Sequence, residues 1–530
     1  MTPSRPRLVF SFGLFCATVF AGHGLRAQTV TFHQDVAPII YQHCTECHRV
    51  GEIGPMPLTT FEEVMPYGEF IEYVTSTGYM PPWTPDEEYA HFVGERVLSA
   101  EELEVLSLWV LEGKPEGNPD DNPGVPDFPS GSQIGVPDQV WAMPEPYLHG
   151  GDMTEQYQVF VLPTESDNNL AIRGMEVRPG NNKVAHHAIL GLDVTGTAMQ
   201  LDAADPDPGY ESFGGFGFNA ESNFFGAWVP GAMALEYPPG MGRTVPAGAD
   251  ILLQMHYGPS PIDEVDLTQI NVFYAEGPIE REVETAIMTP QDLDSFFYLP
   301  ANQVRTFHGT LEVPADLSLL SIAPHCHLIG ESWEVFATSP SNQDTIPLIS
   351  IPDWDFNWQG IFTYPQMVHL PAGYILEAYS TYDNTVDNPF NPNEPPETMW
   401  WGDFTTEEMF VLFLQGVPYE EGDEDISLSV PDRNTVLHYS QDNLFPAWPN
   451  PARTDEVRVG FHLNQPAKAS LVLRDMQGRV VKTWLDGKNL PAGHHLEAFD
   501  ISALPSGQYL YTLTTTTGTV RSAHLQVLPQ

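Results

Sequence analysis

The chain has 530 residues, 42% hydrophobic and 11% aromatic, enough for several folded domains with sizeable cores. Its formal net charge of −50 excludes nucleic acid and anionic membrane surfaces as partners. The 43 glycines and 50 prolines favour many turns and short strands over long helices.

The N-terminus reads as an export signal. Arg5 and Arg7 precede an apolar run from Leu8 to about Gly22, with a plausible cleavage after Ala27. The run is too short and wrongly flanked for a transmembrane anchor. Cys16 lies in FGLFC, a poor lipobox, so no lipoprotein is expected. No other stretch is long and apolar enough to span a bilayer, so the mature chain is expected outside the cytoplasm without a membrane segment. The remaining cysteines are Cys44, Cys47 and Cys326. Cys326 has no partner once the other two are assigned, and no structural disulfide is expected.

Residues 28–115 are predicted to be mainly helical, because VAPIIYQHC and SAEELEVLSLWVLEG carry apolar residues at helical spacing. Ser99 followed by Glu102 forms a capping box for the second. CTECH (44–48) sets two thiols and a histidine at the spacing for covalent haem attachment. On a helical turn Cys44 and Cys47 share a face and can bond one porphyrin edge, while His48 reaches the iron. A zinc site needs two more ligands, and no second CxxC exists. The sixth iron ligand is expected to be Met80 in GYMPPW, carried on a loop stiffened by Pro81 and Pro82, with Met56 and Met65 as competitors. The segment CHRVGEIGPMPLTTFEE…GYMPPW resembles the cytochrome c domain fused to copper monooxygenase modules, and that resemblance implies Met80.

A Pro-, Gly-, Asp- and Asn-rich stretch, 113–137, reads as a spacer, with the linker proper at 116–137. Residues 138–430 are predicted to be β structure: YQVFVL, HHAILGL, ADILLQMHY, LSLLSIA and GYILEAYSTY recur between turns. This region carries His186 and His187 in NKVAHHAILG, His256 in LLQMHYG, and His325 and His327 in APHCHLIG. On an extended strand His325 and His327 share a face and Cys326 points the other way. Imidazole suits copper, zinc, iron or nickel. Met409, in TTEEMFVLFLQ, adds a thioether, which favours Cu(I) and differs from the carboxylate-containing sites of hydrolytic zinc.

The stretches VAHHAILG, GAWVPGA, LQMHYG, APHCHLIG, WDFNWQ, YDNTVDNPFNP and WGDFTTEEM stand in the order of the copper type II, ascorbate-dependent monooxygenases, the group of peptidylglycine and dopamine hydroxylases, and the region resembles that family over nearly its whole length. The resemblance implies two tandem jelly-roll-like β-sandwiches, 138–284 and 285–430, with one copper each. It implies His186, His187 and His256 as ligands of an electron-storing copper, and His325, His327 and Met409 as ligands of the copper that binds dioxygen and substrate. The implied reaction is hydroxylation of an organic C–H bond with dioxygen and a one-electron donor such as ascorbate. Cys326 then takes the role of a small buried residue.

Three departures bear on substrate. The peptide-amidating branch has an arginine two residues before the first histidine of the HxH pair; here the residue is Ala323. It has an asparagine and a tyrosine two and four residues after the methionine; here they are Val411 and Phe413. A pocket without these groups should not capture a peptide carboxylate, and a less polar substrate is expected. Gln254 keeps the family's residue, against the alternative of a strand amide facing solvent.

Charge marks the last boundary. Residues 445–530 hold eight Lys plus Arg against six Asp plus Glu, while residues 1–444 hold thirteen against sixty-five. PNP, DMQGRVV and LPSGQYLYTL in this tail resemble the C-terminal sorting domain of the type IX secretion system, which implies that machinery as a partner and delivery to the surface or beyond. His494 and His495 lie in this module and are expected at the surface. The expected architecture is therefore multidomain and mainly β: a small α-helical cytochrome c domain, two jelly-roll-like sandwiches and a small C-terminal β-sandwich. The expected cofactors are two copper ions and haem c. A non-catalytic copper-binding or electron-transfer protein is the alternative. A zinc hydrolase is disfavoured by Met409 and by the lack of a carboxylate base in the motifs.

Overall fold

A reciprocal cap starts the longest helix of the N-terminal unit: Ser99 Oγ accepts the Glu102 N–H at 3.2 Å, and the Glu102 carboxylate accepts the Ser99 N–H at 2.7 Å. From there Ala100–Leu111 buries Leu106 and Trp109 against Phe32, Ile40 and Val64. Ala37–His43, Phe61–Val64 and Gly68–Ser76 complete the helices of this unit. The computed structural model describes residues 30–528 except 50–51, 53, 127–131, 221, 233, 342–343, 403, 429–442, 449–451, 453–455, 464–465, 491–492 and 519. The expected export signal and Cys16 lie outside the described residues. No helix among the described residues is long and apolar enough to cross a membrane.

Residues 77–99 depart from the helical expectation. Apolar side chains there dock elsewhere: Phe92, 3% exposed, belongs to the core formed by strands beyond residue 285, and Trp83 meets Phe362 edge-on at 5.7 Å. Backbone N–H groups of Asp86 and Val93 donate to Ser350 and Thr363 carbonyls at 2.8 and 2.7 Å. The expected spacer is also tied down at both ends. The carbonyls of Pro115 and Glu116 accept the N–H groups of Phe32 and His33, and the Gln133 N–H donates to Glu176 at 2.8 Å.

The rest is mainly β, and the five apolar segments read from the sequence lie on or overlap strands. A five-stranded sheet runs in the order Tyr210–Glu211, Gln156–Pro163, Asp250–Tyr257, Ala185–Asp193, Ser222–Trp228. It shares a core with a sheet built on Gln139–Ala142, Gln269–Tyr274, Leu170–Arg178 and Met241–Val245; Phe160, Leu190 and Leu253 from one layer meet Ile172, Val245 and Ile270 from the other. A second layered pair follows. Glu284–Met288, Val411–Pro418, Leu317–His325 and Phe362–Leu370 form one sheet; Gln303–Glu312, Ile375–Asn384, Gly330–Thr338 and Thr345–Ile351 form the other. Ile375–Asn384 alternates half-exposed and buried side chains along its length, the period-2 pattern of a strand with one face in the core. The tail is a third, separate core in which Val457, Phe461, Leu471, Tyr511 and Leu525 pack. His495 is half-buried against the Phe461 ring at 5.1 Å rather than at the surface, and the side chain of His494 lies outside the described residues.

Candidate metal centres

Adjacent residues on a strand point to opposite faces, so His186 and His187 should not share a focus. A bulge resolves the conflict. In the pairing of Ala185–Asp193 with Asp250–Tyr257, His256 opposes His187 and Tyr257 opposes Ala185, which leaves His186 as the extra residue. The three imidazoles then converge. The Nδ1 atoms of His186 and His256 each stand 3.3 Å from His187 Nδ1, and the ligand atoms of the trio lie within 4.8 Å of one another. Among the described residues this is the one compact group of three or more His, Cys, Asp or Glu donors.

Protonation favours ligation. Burial lowers His186 to about 4 and pushes His187 well below the ordinary imidazole value, the neighbouring imidazoles adding to the effect. Burial thus favours the neutral, metal-binding form of His186 and His187, and a cation at the focus would meet the converging Nδ1 atoms. His256 is 1% exposed, and its Nε2 is buried without a hydrogen bond. Glu155 Oε2 stands 3.7 Å from that nitrogen, too far for a hydrogen bond. The carboxylate therefore lies behind the ring, away from the Nδ1 focus. It also accepts the Thr405 hydroxyl at 3.0 and 3.2 Å, linking the first layered pair to the loop that leads to Met409. Tyr157 stacks on His256 with centroids 4.2 Å apart.

The second set is built differently. The strand Leu317–His325 ends at its first histidine, so Cys326 and His327 leave regular structure and the expected strand alternation holds only to His325. Cys326 is fully buried and accepts the Trp333 indole N–H at 3.2 Å. The His325 and His327 rings lie 5.2 Å apart, edge to face. His325 Nδ1 lies 2.5 Å from Gln359 Oε1 and His327 Nδ1 lies 3.1 Å from the Glu407 carbonyl. Both partners only accept, so each Nδ1 carries the proton and each Nε2 is left with its lone pair. Burial lowers His325 and takes His327 to about 3. Register brings in Met409, because His325 pairs with Val411, two residues beyond it. The Met409 and His327 backbone N–H groups both donate to Glu408 Oε1.

The two sets face one another. Phe356 stacks on His186 at 5.1 Å and meets His327 edge-on at 5.8 Å, so these imidazoles are separated by no more than the sum of those spans. Phe224 stacks on Phe413 at 4.3 Å and Phe213 on Phe404 at 3.8 Å, which gives the junction an aromatic lining. Gln254 does not face solvent: it is 2% exposed, and its amide donates to the Ser212 and Gly215 carbonyls. Gln359 lies in the quoted WDFNWQ and Glu408 beside Met409, so both stood next to residues singled out in the sequence. Nothing local marked Glu155.

In the helical unit Cys44 follows the helix Ala37–His43, and the N–H groups of Cys47 and His48 both donate to its carbonyl, at 3.2 and 2.8 Å. The motif is thus one helical turn. His48 Nδ1 lies 3.1 Å from the Met56 carbonyl, which leaves Nε2 free and puts Met56 behind the ring. Gly54 is required here, since a side-chain carbon would fall 2.6 Å from the Cys47 oxygen and 2.8 Å from His48 Nδ1. Burial pushes Cys44 up to about 12 and raises Cys47, so in the metal-free chain both are thiols. Met65 is 37% exposed on the surface. Met80 follows the helix Gly68–Ser76, its N–H donating to the Val74 carbonyl at 3.0 Å. Beside the motif, Glu52 pairs with Arg178 at 3.1 Å and the Arg96 guanidinium donates to the Gly231 carbonyl at 2.6 Å, so the helical unit touches the first layered pair as well.

No curated protein matches the chain. Solved structures similar to parts of it include CopC from Methylosinus trichosporium OB3b, at 18% identity over 16% of this chain and 91% of that one, with a TM-score of 0.13. The β-glucuronidase of Parabacteroides merdae matches at 10% identity over 43% of this chain and 28% of that one, with a TM-score of 0.13. That of Ruminococcus gnavus matches at 10% identity over 47% and 44%, with a TM-score of 0.17. The chain spans less than half the length of either glucuronidase, and at these scores none of the three carries an argument. Residues 446–525 match the family described as "Secretion system C-terminal sorting domain", and a tail of that kind directs the chain through a secretion machinery to the cell surface or beyond.

Proposed function

We propose that the chain is an exported copper-dependent monooxygenase that hydroxylates a C–H bond of an organic substrate, with a haem c unit on the same chain as electron relay. The two β regions are then jelly-roll-like sandwiches holding one copper each, and the helical unit is a cytochrome c domain. The observation that carries the proposal is the convergence of three imidazoles through a bulge, opposite a second imidazole pair whose far nitrogens are both held by acceptors. Copper, when bound, supplies one-electron chemistry and activation of dioxygen.

The chain's own residues do the rest. His186, His187 and His256 offer ring nitrogens held by strand register, a site suited to keeping its geometry between two redox states. Gln359 and the Glu407 carbonyl fix the tautomers of His325 and His327, so that Nε2 of each is available at the second site. Met409, whose backbone N–H shares Glu408 Oε1 with that of His327, would add a soft, weakly held thioether donor. Phe356, Phe224 and Phe413 keep the junction apolar. With Ala323 and Val411 at the positions flanking the ligands, no cationic side chain is placed there to take a carboxylate, which suits an apolar substrate. In the helical unit the residues fit haem: two thiols on one turn, an imidazole with its outer nitrogen free, and a glycine where the loop crosses it. Cys44, Cys47, His48 and Met80 would hold the group, and the docking of residues 83–93 and Arg96 keeps it at a fixed place against both sandwiches.

Oxygen uptake with ascorbate as donor, measured together with hydroxylated product, tests the proposal. Uptake matched by product is the expected result. Copper binding without turnover would favour a non-catalytic copper or electron-transfer protein.

A further inference from the structure

Glu408 is a carboxylate with 0% exposure, and among the described residues no lysine, arginine or histidine pairs with it. Burying an unpaired carboxylate is costly unless hydrogen bonds replace its water. Here all its bonds run to backbone. Oε1 accepts the N–H of Met409 at 2.8 Å and that of His327; Oε2 accepts the N–H of Ile329 at 3.3 Å. Its own backbone is fixed by the Trp400 and Gly402 pairings on either side. The segment after His325 has left its strand, so the His327 and Ile329 N–H groups have lost their ladder partners. Glu408 replaces that ladder, and one oxygen spans the segment carrying His327 and the segment carrying Met409.

Resting on the copper reading above, we infer that Glu408 is the positioning residue of the second site: its carboxylate sets the spacing between the backbones of His327 and Met409. A leucine of similar shape offers no acceptor, so it makes none of the three bonds.

The test compares the metal-free full chain with Glu408→Leu and Glu408→Asp by hydrogen exchange, then titrates each with copper. For Glu408→Leu, exchange at His327, Ile329 and Met409 should rise roughly tenfold or more, while the strands 185–193 and 250–257 stay unchanged. Copper affinity at the second site should fall about 10–100-fold with the trio's affinity intact, as for a lost outer-shell partner. Glu408→Asp, which keeps both oxygens on a shorter arm, should fall between the two, and it carries the comparison if the leucine variant does not fold. Exchange unchanged at the three amides, or raised equally throughout the chain, would overturn the inference. A wild-type chain that takes up no second copper overturns the copper reading instead, and the exchange pattern still decides the role of Glu408.

Discussion

The two histidine sites differ in what holds them. In the first, all three side chains stand on neighbouring strands of one sheet, and a single bulge aims them. In the second, the strand has ended, and hydrogen bonds accepted by Gln359, Glu407 and Glu408 do what a ladder does elsewhere. A site fixed by register keeps its shape as long as the sheet does. A site fixed by a handful of polar contacts can be altered by one substitution with the fold intact. This contrast matches the proposed division of labour, with electron storage at the rigid site and substrate chemistry at the adjustable one.

Removing a donor should break the comparison most sharply. Met409→Ile should abolish turnover while sparing the haem spectrum and copper at the trio. His256→Ala should abolish turnover too, with the copper loss at the other site; product assay with metal analysis checks both. Next in size is the support of the second site: Gln359→Leu frees the His325 ring and should lower copper affinity there by about 10–100-fold, leaving the trio unchanged. Competition with a chelator reads that difference.

Acid should unfold the metal-free chain through both sites. Burial takes His186 from 6.5 to about 4 and His327 from 6.5 to about 3 in the folded state. The unfolded chain therefore binds more protons below pH 6.5, so stability falls with falling pH and levels off once the folded-state values are passed. The loss is on the order of a few kcal/mol per histidine, spread between pH 6.5 and about 3. Denaturant melts of the metal-free chain at several pH values measure it, and copper should suppress the slope. The smallest effect expected is that of Glu155→Gln. It weakens the Thr405 contact and removes the carboxylate charge behind His256, and should change copper affinity at the trio by about tenfold or less.

Much of this arrangement was legible in the sequence. The strand segments were readable because their apolar residues alternate, and the capping box because Ser99 and Glu102 are three apart. The histidines were readable as a set because they recur on apolar segments in one order. What the sequence hid is non-local. A bulge inserts one residue and leaves no compositional mark, so the convergence of His186 with His187 was not derivable from alternation. Glu155 meets Thr405 across 250 residues. Residues 83–93 look like any loop until Phe92 is found in a distant core, and the spacer after residue 115 looks free until Asn122 is found against Tyr41.

Copper titration of the haem-loaded, copper-free protein, with metal content read after desalting, bears on the two centres most directly. Two equivalents should be retained by the wild type, one by His327→Ala and one by His256→Ala. Retention of fewer than two by the wild type, or the same number by all three proteins, would contradict a copper ion at each histidine site.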